Sequence, residues 1–226
     1  MAMQKIRIVA TGDSMTDTAG EGCPALANEL GKSFPDKEFE IINQGVGGTR
    51  VGYGLWRLEN EYEFRDRKNP PLISLEPDIV LLESFSYNNG SDGLLGDGLA
   101  HFREMHFKIV EKLRAKTKAQ IVFVVTIAPE KERFLESVPN FINTPVSIRK
   151  WMAEDRVAYL EEAIKIAHDL ELPLADVYHA SLEAAENGES LSKFINPVDW
   201  IHPGEEGHKL AAKVIVETFK KHKLIV

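Results

Sequence analysis

The sequence predicts an α/β domain in three layers, helices on both sides of a five-stranded parallel sheet. Two patterns carry this expectation. Short β-branched runs alternate along the chain with longer stretches of helical period, the signature of βαβ units. Three of the strand candidates are also apolar through their middles, as strands covered by helices on both faces must be. The strands are expected at Ile6–Ala10, Phe39–Asn43, Asp78–Glu83, Ile121–Thr126 and Leu174–Val177. Apolar residues recurring at i, i+3 and i+4 predict helices over Pro24–Ser33, Gly54–Arg67, Leu99–Lys116, Ile148–Leu170 and Glu205–His222. Pro129–Pro145 is the longest irregular stretch, and a loop of that length is expected to border the active site as a flap.

At 226 residues, 43% hydrophobic and 27% charged, the chain suits one domain over residues 1–226. A formal net charge of -8 argues against nucleic acid as a partner, because phosphate binding needs clustered cations. The basic run Lys220-Lys221-His222-Lys223 closes the last predicted helix, where cations complement the helix dipole. The lone cysteine, Cys23, has no internal disulfide partner and reads as a small apolar residue. No leader-like h-region and no apolar stretch of membrane-spanning length is visible, so a cytoplasmic protein without a membrane span is expected.

In an open parallel sheet, ligands bind beyond the carboxyl ends of the strands. Four polar segments fall there. Thr11-Gly12-Asp13-Ser14 follows the first strand, and its glycine turn lets a serine hydroxyl project at the sheet edge. Asn43-Gln44-Gly45-Val46-Gly47-Gly48-Thr49 follows the second and allows main-chain N–H groups to approach a ligand. It fails as a dinucleotide fingerprint, because Arg50 takes the place of the third glycine and the run does not follow the first strand. Ser84-Phe85-Ser86-Tyr87-Asn88-Asn89-Gly90 follows the third strand, and Asp199-Trp200-Ile201-His202-Pro203-Gly204 precedes the last helix.

Singly, these segments are ordinary turns, glycine loops and helix entries. Together they supply the parts that acyl transfer needs: a nucleophile, a base, a carboxylate to orient the base, and oxyanion donors. The three-residue spacing from Asp199 to His202 lets one turn bring carboxylate to imidazole, which would fix the tautomer and stabilise the imidazolium formed when Ser14 gives up its proton.

The chain resembles the SGNH (GDSL-type) hydrolases, whose short blocks occur here in family order. Gly12-Asp13-Ser14-Met15 resembles the first block, the glycine run aligns Gly48 with the oxyanion glycine, Ser86-Tyr87-Asn88-Asn89 aligns Asn88 with the oxyanion asparagine, and Asp199-x-x-His202 matches the last. Ser86 and Asn89 depart from the family's glycine and aspartate, so Asn89 is kept as a reserve donor. The resemblance implies a flavodoxin-like sheet and hydrolysis of a small ester by Ser14, His202 and Asp199, without metal or organic cofactor. The oxyanion would be held by Ser14, Gly48 and Asn88, with Asp13, Asn89, Tyr87 and Trp200 beside the substrate.

The preferred substrate is a short-chain, acetyl-type ester of a carbohydrate or small alcohol, since no long apolar lid helix is visible. Phe85, Tyr87, Trp56 and Trp200 are the aromatic residues expected near it. Alternatives on the same triad are a lysophospholipase, a thioesterase or an acyltransferase; a non-catalytic carbohydrate-binding module is the reading from another class. The Gly-x-Ser-x-Gly elbow of the larger α/β-hydrolases is absent. His101, Glu104 and His106 lack the i, i+4 spacing of a helical metal pair and are expected at the surface. His168, His179, His208 and His222 are read as lacking a carboxylate partner at an instructive spacing and receive no role.

Overall fold

A computed structural model describes residues 5–88 and 97–225. Strands β1 (Lys5–Thr11), β2 (Glu38–Asn43), β5 (Ile79–Glu83), β6 (Gln120–Val125) and β7 (Leu174–Asp176) form a five-stranded sheet in the order β2-β1-β5-β6-β7. All four neighbouring pairs run parallel, with Ala10 opposite Asn43 on one side and Leu81 on the other. Because side chains alternate across a strand, each strand divides its apolar residues between two cores. Val9, Val80, Leu82, Phe123 and Val125 face one core, shared with α4 (Asp97–Lys116) and α5 (Val146–Asp169). Ile8, Ala10, Leu81, Val122 and Val124 face the other, shared with α2 (Pro24–Ser33) and α7 (Glu205–His222). The alternation explains why these strands read as continuous apolar runs.

The order reverses between β1 and β5, so their carboxyl ends splay apart at a topological switch point. Ser14 follows one of these strands and Asn88 follows the other.

The helices predicted at Pro24–Ser33 and Glu205–His222 have those bounds. Pro24 opens α2, where its missing N–H costs nothing, and α7 carries Glu205 and Glu206 in its first turn and Lys220 and Lys221 in its last. The predicted helix over Gly54–Arg67 is corrected. Helix α3 (Val51–Arg57) ends early, and an antiparallel hairpin follows, β3 (Tyr62–Phe64) with β4 (Arg67–Asn69). Arg65 and Asp66 both have positive φ, 46° and 61°, the conformation that matches a two-residue turn to strand twist. The spacing of Leu55, Leu58 and Tyr62 mimics helical period across this break. The strand expected to reach Val177 also stops early. Asp176 caps α6 (Val177–Glu186) by accepting the His179 N–H at 3.0 Å, and α6 was not foreseen.

Residues 129–145 are turns with one short 3₁₀ segment, Pro139–Phe141. This stretch is tied down: Phe134 and Leu135 are buried, and Arg149 donates to the Phe134 carbonyl at 2.9 Å. Among the described residues, no helix is long and apolar enough to cross a membrane.

Candidate active site

Ser14 is the first residue of α1 (Ser14–Asp17), a single turn that begins just past β1. Its N–H therefore has no acceptor within the helix. Asp13 caps this turn, its Oδ1 accepting the Met15 N–H at 2.8 Å. Close approach explains the glycines around it. A Cβ at Gly12 would lie 2.2 Å from Thr16 Oγ1 and 2.6 Å from Glu83 Cβ, and one at Gly45 would lie 2.3 Å from the Asp17 nitrogen. The second loop is thus laid directly on α1. Asn43 fastens it there, donating to the carbonyls of Thr16 and Gly20 and accepting the Gly45 N–H.

Arg57 joins the two loops from beneath. It is buried, donates to the Gln44 carbonyl at 2.6 Å and the Gly12 carbonyl at 2.9 Å, and lies over the rings of Tyr53, Tyr62 and Phe85. Gly48, at φ +73°, occupies a conformation that side chains resist, and a Cβ there would meet nothing within 4 Å. Its backbone borders open space.

A small closed loop positions His202. Ile195 and Pro203 form a β-bridge, the Asn196 N–H donates to the His202 carbonyl at 2.8 Å, and the N–H groups of Asp199 and Trp200 return to the Asn196 carbonyl. Asp199 Oδ1 accepts the N–H groups of Ile201 and His202 at 2.9 and 3.1 Å, and Oδ2 meets His202 Nδ1 at 2.8 Å. Burial works to raise the Asp199 pKa, but the bonds from the His202 ring and from these two backbone groups hold it below the usual carboxylate range. The carboxylate thus stays charged, and Nε2 of His202 is left to face outward from the pair.

Spacing alone does not select this histidine. Asp176-Val177-Tyr178-His179 repeats it, with Nδ1 of His179 2.7 Å from Asp176 Oδ2, which corrects the expectation that His179 has no carboxylate partner at such a spacing. Position separates the two: the charge of His202, not of His179, acts on Asp13, the neighbour of Ser14. His208 also approaches His202 and is held below the imidazole range by burial and then by that neighbour.

Asn88 ends a 3₁₀ turn after β5, and its amide Nδ2 donates to Asp13 Oδ2 at 2.8 Å. An asparagine amide carries two hydrogens, so this bond orients the second. Asn89 lies outside the described residues. Asp13, Tyr87 and Trp200, expected beside the substrate, are all buried. Tyr87 donates its hydroxyl to the Ile127 carbonyl at 3.1 Å, and Arg133 stacks 3.5 Å from the Trp200 ring centroid, so that Trp200, at φ +57°, is held from the 129–145 stretch. Of the four aromatic residues considered, Trp56 alone is exposed, at 45%.

The hairpin contributes a wall that the sequence did not suggest. A methyl group on Gly47 would lie 3.7 Å from Phe64 Cζ, Ser14 Cβ and Asp17 Oδ2 alike. Arg65 and Arg67 hold the hairpin in place through the buried Asp17 carboxylate, at 3.0 and 2.9 Å. Among the described residues no cluster of His, Cys, Asp and Glu is suited to a metal. His106, expected at the surface, is instead a core residue. It bonds the Phe102 carbonyl through Nδ1 and packs against Phe85, Phe102 and Phe123, with burial lowering its pKa to about 4. Burial pushes the Cys23 thiol up to about 12, which leaves it an inert core group.

A flavodoxin-like parallel sheet with Ser14 directly beyond β1, and with an Asp199–His202 pair whose charge reaches the neighbouring Asp13, fits the class of acyl-group hydrolases. The chain belongs to the GDSL-like lipase/acylhydrolase family, whose model matches residues 10–210. It is a carboxylic ester hydrolase. Its fold is similar to those of an acetylxylan esterase from Geobacillus stearothermophilus (17% identity, 94% of this chain and 93% of that one, TM-score 0.65) and a lipase/acylhydrolase from Enterococcus faecalis (20%, 96% of each chain, 0.65). It is also similar to an α/β hydrolase from the metagenome of Lake Arreo, Spain (19%, 95% of each chain, 0.66). No curated protein sequence matches the chain.

Proposed function

We propose that this esterase hydrolyses short-chain esters, acetyl esters of a carbohydrate or small alcohol in particular, through an acyl-enzyme on Ser14. The observation that carries the reading is the Asp199–His202 bond, which fixes a proton on Nδ1 and leaves Nε2 as the basic nitrogen. His202 takes the Ser14 proton as Oγ attacks the ester carbonyl. The N–H groups of Ser14 and Gly48 and the free amide hydrogen of Asn88 receive the oxyanion. His202 then returns the proton to the departing alcohol, and a water activated by the same nitrogen releases the acid.

Phe64 supports the short acyl group. Its ring tip and Ser14 Cβ approach the same point beside Gly47, and the ion pairs to Asp17 keep the hairpin from swinging away. The similarity to an acetylxylan esterase fits a small acyl group on a sugar. p-Nitrophenyl acetate is therefore expected to turn over faster than the octanoate. Phe64→Ala should raise the octanoate-to-acetate ratio of kcat/KM by about tenfold, the scale on which pocket methylenes are discriminated. Faster octanoate turnover by the wild type would overturn the acetyl preference, and an unmoved ratio in the variant would remove Phe64 from the acyl side.

A further inference from the structure

Two carboxyl groups beneath Ser14 take no part in the reaction above. Asp13 is 0% and Glu83 4% exposed, and each carboxyl acts on the other. Glu83 Oε2 also accepts the Asp13 N–H at 3.2 Å. From this pair a buried chain of bonds extends in both directions. Ser86 Oγ donates to Ser84 Oγ at 3.0 Å, and Ser84 Oγ donates to Glu83 Oε1 at 2.9 Å. Beyond Glu83, Asp13 Oδ2 receives the Asn88 amide at 2.8 Å. Ser86, standing where the family pattern has glycine, is the far end of a network that closes on Asn88.

Charge counting makes this pair unusual. Among the described residues, the permanent cation acting on it is Arg57, whose guanidinium bonds the Gly12 carbonyl and feels the charge of Asp13. The other titratable groups facing the pair are His202, which acts on Asp13; Tyr87, whose phenol burial pushes upward; and Cys23 and His208, which line a cavity of about 80 Å³ together with Glu83. One fixed cation does not balance two adjoining buried carboxylates, and such pairs hold a proton between them. Burial first, then the charge of Asp13, pushes Glu83 well above the carboxylate range. Asp13 is raised by burial too, but the bonds from Asn88 and Met15 favour its charged form.

We infer that Glu83 is a positioning residue: as a carboxylic acid it donates its proton to Asp13 and so holds Asp13 where it aims the Asn88 amide at the reacting carbonyl. The kinetic consequence rests on the esterase reading. The shared proton is a property of the resting protein and is measured separately.

Infrared spectroscopy of the full chain at pH 7 should show a protonated-carboxyl stretch that Glu83→Gln lacks. Absence of this band from the wild type overturns the inference whether or not the protein hydrolyses esters. In p-nitrophenyl acetate assays, Glu83→Gln, which keeps a hydrogen toward Asp13, should retain kcat within about threefold, whereas Glu83→Ala should lose about ten- to a hundredfold in kcat with KM little changed. Unchanged kcat in Glu83→Ala, or an equal loss in both variants, overturns the positioning role. Thermal melting gives a third arm, which Glu83→Gln alone serves if Glu83→Ala does not fold. The folded protein keeps this proton after an unfolded chain has lost it, so the wild type loses stability as pH rises above the ordinary carboxylate range. Glu83→Gln has no such proton to lose, and its Tm should gain on the wild type across that window; a Tm difference that stays constant with pH contradicts the buried acid.

Discussion

Ser14→Ala is expected to lower kcat for p-nitrophenyl acetate by roughly 10⁵- to 10⁶-fold, and His202→Ala by a similar factor. The size follows from the arrangement. In the proposed mechanism Ser14 supplies the bond-forming oxygen at the start of α1, and the substitution removes that oxygen alone, because the caps and loop bonds that fix the turn belong to Asp13 and Asn43. His202, held by Asp199, is the proposed acceptor of the serine proton. The double variant should be little worse than either single one, since a nucleophile and its base act as one unit. His179→Ala is the internal control. It breaks a pair of the same spacing and nearly the same length, 2.7 Å against 2.8 Å, yet is expected to leave kcat within about twofold, because His179 belongs to α6 and takes no part in the loop that carries the base. Loss of activity in His179→Ala with survival in His202→Ala would exchange their roles.

Asn88→Ala carries the next largest effect, a hundred- to a thousandfold loss in kcat, corresponding to about 2.7 to 4 kcal/mol of transition-state stabilisation from one side-chain oxyanion donor. The structure gives this donor little freedom. One amide hydrogen is committed to Asp13 at 2.8 Å, so the direction of the second is set before substrate arrives. KM should change much less than kcat, since the oxyanion exists only as the carbonyl is attacked. Asn88→Asp should be at least as damaging as alanine, because it sets a carboxylate against the buried carboxyl of Asp13. A tenfold or smaller loss in Asn88→Ala would place the side-chain donor elsewhere.

The parts legible in the sequence are those encoded locally. Runs such as residues 79–82 are apolar because both faces are covered, and the serine turn and the Asp199-x-x-His202 spacing are contained within a few residues. The glycines at 12, 45 and 48 mark close approach or positive φ, but the sequence does not say what they approach. Features that depend on distant partners were not readable. The hairpin at Tyr62–Asn69 lies inside a stretch of helical period, and only the positive-φ turn at Arg65 and Asp66 and the ion pairs to Asp17 settle it. Nothing local marks Arg57, although it joins the serine and glycine loops across 45 and 13 residues of sequence. Glu83 did leave a trace, a lone acid ending an otherwise apolar strand, which gained meaning once Asp13 was found against it. Asp176-x-x-His179 shows the converse: a spacing can recur without its setting.

The most direct measurement is mass spectrometry of the intact protein and its peptides after reaction with a fluorophosphonate, on the wild type and on Ser14→Ala. The account predicts one covalent adduct on Ser14 in the wild type, none in the variant, and loss of p-nitrophenyl acetate hydrolysis in step with labelling. An adduct on another residue, or undiminished hydrolysis by Ser14→Ala, would contradict it.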